Sequence, residues 1–196
     1  CRLSKVSKSL APTPMRTLTL LLIIGSLMTG AAATASAQQS PPAQATITVT
    51  GKKLTIRYSS PSVHGRKIFG DGGLLSHDPT YPAWRAGAND ATAFHTDADV
   101  VISGNIGGLA VPNGDYTLYC WVKNPEAWEL IVSKETGQWG LSYNPKLDLG
   151  RVKMTMTKPA SPIETMKFTF TSQGSNKVQL QLAWEQHIGT VPITVK

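Results

Sequence analysis

Strict alternation of apolar and polar residues is the feature that most restricts what this chain can fold into. Successive side chains of an extended strand point to opposite faces, so alternation builds a ribbon that is dry on one side and wet on the other. Ile47 and Val49 alternate with threonines, and Leu54, Ile56 and Tyr58 alternate with Lys53, Thr55 and Arg57. Gly51-Lys52 between these runs predicts a tight hairpin turn. The pattern returns at Val152, Met154 and Met156, at Met166, Phe168 and Phe170, at Val178, Leu180, Leu182 and Trp184, and at Val191, Ile193 and Val195. Residues 99–103, residues 115–122 and the Trp128, Leu130, Val132 set supply further strands, separated by Gly104, Gly107-Gly108 and Pro112-Asn113-Gly114. The reading gives about nine or ten strands, and no window after residue 37 keeps an i, i+3, i+4 apolar stripe. The expected fold is all-β, an antiparallel two-layer sandwich with almost no helix in the mature chain. A partly closed barrel is the alternative.

The N-terminal residues follow a different logic. The first residue is Cys1, so Met15 is expected to be the start. Arg16, an apolar run over Leu18 to Met28, and small residues ending Ala35-Ser36-Ala37 have the order of a secretory signal peptide, with cleavage expected near Ala37. A run of about 11 apolar residues is too short for a bilayer, which needs roughly 20, so no transmembrane segment is expected in the mature chain. Residues 1–37 hold four bases, Arg2, Lys5, Lys8 and Arg16, and no acid, so their removal lowers the formal charge from +7 to +3. A charge that small, without a basic cluster, argues against a nucleic-acid partner. The expected location is the periplasm or the exterior. Cys120 is then alone in an oxidising compartment, and its setting in Tyr116 to Val122 predicts a buried, inert thiol. Residues 38–44 read as a flexible lead-in, and residues 45–196 as one β domain.

One stretch does not alternate. Residues 59–92 are too long for an ordinary connection, yet they hold Phe69, Tyr81 and Trp84, which give a loop apolar area with which to dock on a sheet. An ordered cap is expected here. Within it, Ser60-Pro61-Ser62 with Gly65-Arg66-Lys67-Ile68-Phe69-Gly70, then Trp84-Arg85-Ala86-Gly87-Ala88-Asn89-Asp90-Ala91-Thr92, resemble the signature of an exported bacterial family known as domain of unknown function 2911. Pro112-Asn113-Gly114-Asp115-Tyr116-Thr117-Leu118 is similar to that family's strand entry. Trp128, Trp139-Gly140, Tyr143, Asp148 and Arg151-Val152 fall where its later motifs would. The resemblance spans roughly Ala45 to Lys196 and implies export but no mechanism. The chain departs from the family's usual pattern at residues 76–83 and in the strand after Leu118.

Chemistry in the cap centres on Arg66 and Arg85. A guanidinium fork can grip a carboxylate, phosphate or sulfate through two parallel bonds, and two forks on one ordered loop can frame an anion with the amide of Asn89 beside them. The same groups can equally tie the loop to its own carbonyls or to Asp90, Asp97 or Asp148. His64, His77 and His95 match no metal-ligand spacing, and no nucleophile elbow, zinc-protease or phosphate-loop motif is present, so no metal, cofactor or catalytic residue is assigned. Trp84, Trp121 and Trp139 can serve as stacking platforms, whereas Trp128 and Trp184 keep register with core leucines. Three readings stay open. The first is a non-enzymatic envelope or secreted binding module for a small polar or anionic ligand at Arg66, Trp84, Arg85 and Asn89. The second is a hydrolase of a glycan or other envelope polymer, working through Asp71, Asp78, Asp90 or Asp97. The third is a purely structural envelope protein.

Overall fold

A computed structural model describes residues 39–104 and 107–196. The expected signal peptide, with Cys1 and Met15, lies outside the described residues. The described residues fall in one compact unit.

The alternating runs become strands of two antiparallel sheets. In chain order these are β1 (Pro42–Val49), β2 (Lys52–Ser59), β3 (Ala83–Trp84), β4 (Thr92–Thr96), β5 (Val100–Ser103), β6 (Gly108–Val111) and β7 (Gly114–Asn124). They are followed by β8 (Ala127–Ser133), β9 (Asp148–Lys153), β10 (Thr155–Thr157), β11 (Ile163–Ser172), β12 (Lys177–Glu185) and β13 (His187–Val195). The first sheet runs β1-β2-β4-β7-β8-β9, with β3 also paired to β7; the second runs β11-β12-β13-β5-β6, with β10 also paired to β13. The sheets are not closed into a barrel, which leaves the two-layer sandwich. Among the described residues only two short 3-10 turns, Leu74–His77 and Pro145–Leu147, are helical, and no helix is long and apolar enough to cross a membrane.

Inward residues of both sheets form one core that includes Leu54, Ile56, Phe94, Leu118, Leu130, Leu180, Leu182 and Ile193, all 1% exposed or less. At one end of it Phe69, Trp84, Trp128, Trp184 and His187 make an aromatic cluster, with Trp84 stacked on Trp184 at 5.5 Å between ring centroids. Offset and edge-to-face packing of such rings buries large apolar areas with favourable quadrupole contacts.

The structure corrects the sequence reading in three places. Val49 pairs with Lys52, so the hairpin turn is Thr50-Gly51, both at positive φ (49° and 77°), one residue earlier than expected. A two-residue turn of that handedness matches the right-handed twist of the strands it joins. The lead-in ends sooner than expected: Pro42, Ala43 and Gln44 belong to β1 opposite Ser59, Tyr58 and Arg57, whose backbone groups would otherwise lack partners. The run Val152, Met154, Met156 is two strands and not one, because β9 pairs with β8 in the first sheet and β10 with β13 in the second.

Candidate functional site

Residues 60–91 are pinned along their length. Ser60 N donates to Pro41 O at 2.8 Å, Val63 N to Glu164 O at 2.8 Å, and Met166 N to Pro61 O at 2.9 Å, so the first four residues lie along β11. Ile68 and Phe69 then enter the core, and Leu74 N and Leu75 N return to the carbonyls of Lys67 and Ile68 at 2.9 and 3.1 Å. β3 pairs Ala83 with Trp121 and Trp84 with Cys120, which drives Trp84 into the aromatic cluster at 1% exposure with its indole N–H donated to Gly87 O at 3.0 Å.

Arg85 follows directly after β3 and is half-buried. Its Nη1 donates to Asp78 Oδ2 at 2.9 Å, while its Nε is buried without a partner. The pair is largely covered, with side-chain exposures of 17% for Arg85 and 9% for Asp78, and Asp78 Oδ1 is held by the backbone N and hydroxyl of Thr80. Arg66 is exposed; its Nε and Nη2 donate to the carbonyls of Val63 and Ser62 at 3.0 and 2.7 Å, so Nη1 is the group left for solvent. Arg66 and Arg85 line one open cleft of about 370 Å³, with Trp84 in its floor. Asn89 stands apart from that cleft. It sits at φ 58°, and its amide donates to Ser40 O and Ser59 Oγ, both at 3.2 Å, which is the turn-completing role.

A second segment, which the sequence marks only by Trp139-Gly140 and Tyr143 and not as part of the cap, completes the cleft. Residues 134–147 cross the outer face of the first sheet, where Tyr119 and Ile131 are buried with Ala83, and Trp121 and Tyr143 pack beside them. Gln138 donates to Thr117 Oγ1 and Tyr119 Oη, Tyr119 Oη donates to Ser142 O at 2.6 Å, and Arg151 binds Tyr143 and Asp148 while lying 4.7 Å over the Trp121 ring. Within this segment Gly140 N donates to Asn89 O at 3.2 Å, and a Cβ on Gly140 would lie 2.0 Å from Arg85 Cδ. Leu141 reaches the cleft. The signal in the sequence was Trp139-Gly140, an aromatic residue beside a glycine in a stretch without alternation.

The other candidates disperse. Trp121 packs under Arg151, and Trp139 is 52% exposed on the outer segment. Asp78 lines the cleft, Asp90 lines a separate groove with Arg57, and Asp97 lies at the end of β4, so these carboxylates do not converge. His95 is held between Asp115 (Nδ1, 2.8 Å) and Asp97 (Nε2, 2.9 Å); these bonds, Asp97 first, raise its pKa, and the bond from His95 lowers that of Asp97. Among the described residues no three of His, Cys, Asp and Glu are grouped to hold a metal ion. Cys120 is fully buried, its thiol pKa pushed up by desolvation, with Met154 Sδ 3.9 Å away.

The model of the family described as Protein of unknown function (DUF2911) matches residues 40–193. No curated protein and no solved structure matches the chain.

Proposed function

We infer, for a chain that belongs to the DUF2911 family of proteins of unknown function, that it is exported and acts as a non-enzymatic binding module whose ligand is a small anionic or polar molecule. One observation carries the reading: two guanidinium groups from separate parts of residues 60–91 line the same open cleft. Arg is suited to such a site because its fork presents several donors in a fixed plane and stays charged at every physiological pH. Export is supported by the order of Arg16, the apolar run and Ala35-Ser36-Ala37. Mass spectrometry of the protein recovered from its native host should give an N-terminus at Gln38; retention of Met15 at the N-terminus would sink the export half of the reading.

A structural role for the same residues draws support from Arg66, two of whose nitrogens already serve local carbonyls. Thermal-shift measurements separate the two. Anions, sugars and divalent metals are screened against the wild type and against Arg85→Ala. A rise in Tm with an anionic ligand that Arg85→Ala abolishes is the expected result, since a ligand that binds only the native state stabilises it by mass action. A panel without any ligand-dependent rise leaves the structural reading in possession.

A further inference from the structure

We propose that the cleft of Arg66 and Arg85 takes a small monocarboxylate with an apolar body, and that Leu74 and Leu141 hold that body. The inference rests on the reading of the cleft as a binding site and adds to it the class of ligand.

Charge sets the first limit. The carboxylate of Asp78 answers Arg85 at 2.9 Å, and the Thr80 bonds to its other oxygen hold it in place. Arg66 is therefore the one guanidinium of the lining without a carboxylate partner. A ligand with one negative charge is matched; a polyanion would bring a second charge against the fixed carboxylate of Asp78.

The apolar surface sets the second. Among the described residues the large hydrophobic side chains that stand exposed are Leu74 at 41%, Trp139 at 52% and Leu141 at 39%. Leu74 and Leu141 line this same cleft, from segments far apart in the chain, and Trp139 is two residues from Leu141. Exposed apolar area gathered where cations also gather is what an amphiphilic ligand requires. A neutral sugar fits less well, because stacking needs an open aromatic face and Trp84 is 1% exposed. A volume of about 370 Å³ holds a body of roughly a dozen heavy atoms, at the small end of ligand pockets.

Isothermal titration calorimetry of the purified protein with 4-phenylbutyrate, acetate, 4-phenylbutanol and inorganic phosphate tests this. Phenylbutyrate should bind about tenfold or more tighter than acetate, which lacks the apolar body, and than the alcohol, which lacks the charge. Leu141→Ser should weaken phenylbutyrate about tenfold and leave acetate unchanged, and Leu74→Ser serves the same purpose should the first variant not fold. Arg66→Ala should bring the acid down to the alcohol. Acetate or phosphate binding as tightly as phenylbutyrate, with dependence on Arg85, overturns the inference and leaves the anion-binding reading standing. Equal affinity for acid and alcohol overturns it too. Silence from phenylbutyrate also overturns it, and the fate of the broader reading then follows from the thermal-shift panel.

Discussion

Replacing Gly140 by alanine should destabilise the protein by about 2–3 kcal/mol. The new Cβ would fall 2.0 Å from Arg85 Cδ and 2.3 Å from Asn89 O, where ordinary contacts begin above 3.4 Å. Arg85 cannot simply swing aside, because its Nη1 is tied to Asp78, and the second obstacle is backbone. Residues 138–141 must therefore lift, weakening the 3.2 Å bond from Gly140 N to Asn89 O and the bridge between Asp90 and Trp139. Overpacking costs about 1–3 kcal/mol and a lost backbone bond about 1 kcal/mol. Alanine returns about 0.4–1 kcal/mol by restricting the unfolded chain. For a domain of this size the net corresponds to a fall in Tm of roughly 5–10 °C.

Thermal and urea denaturation of the wild type, Gly140→Ala, Arg85→Ala and the double variant close a cycle whose coupling term isolates the contact. The double variant should recover part of the loss, since Arg85 is one obstacle and Asn89 O persists. Gly137→Ala, in the same segment with nothing within 4 Å, is the steric control; its φ of 76° costs alanine about 1–2 kcal/mol by strain alone. A Gly140→Ala protein as stable as the wild type, or complete recovery in the double variant, would refute the packing argument.

His95 and His187 should give pH limbs of opposite sign. His95 has its pKa raised by Asp97 and Asp115, so its contribution is full below about pH 6.5 and disappears as pH rises through the raised value. In a Tm series from pH 5 to 9, His95→Gln should lose that alkaline fall, and an unchanged profile would count against the bridge. His187 is pushed the other way, chiefly by desolvation in the aromatic cluster, so its contribution is full above about pH 6.5 and lost as pH falls through the lowered value. His187→Phe should flatten the acid limb of the same series. Cys120 should resist a thiol reagent in the native protein and react stoichiometrically in denaturant, because only a thiolate attacks and burial forbids it. Fast labelling of the native protein would contradict its placement.

Alternation made most strands legible before any coordinates, and its misses have a common cause. It reports which face of a strand is buried but is silent on which sheet the strand joins. Val152 and Met154 point into one core shared by both sheets, so the pattern runs unbroken while the chain passes from β9 to β10. β7 shows the converse. Tyr116 through Cys120 are all buried because Leu118 and Cys120 face the core while Tyr119 lies beneath residues 134–147, and a strand covered on both faces loses its period.

The site was legible as a break in pattern, and only the register explains its other half. Thr92 pairs with Leu118 and Leu118 with Val132, so one row of three residues crosses β4, β7 and β8. β4 begins at that row and β8 ends just beyond it, so the chain entering β4 and the chain leaving β8 emerge on the two flanks of β7. To meet, one of them must cross the outer face of β7. Residues 134–142 do so over Thr117 and Tyr119, and Ala91 N then reaches Gln138 O at 3.3 Å. Arg85 thus meets Gly140, and shares a cleft with Leu141, through strand register, a long-range property that no local window contains. Gly140 takes part by lacking a side chain, so the sequence marks its position but not the contact with Arg85 and Asn89 that it permits.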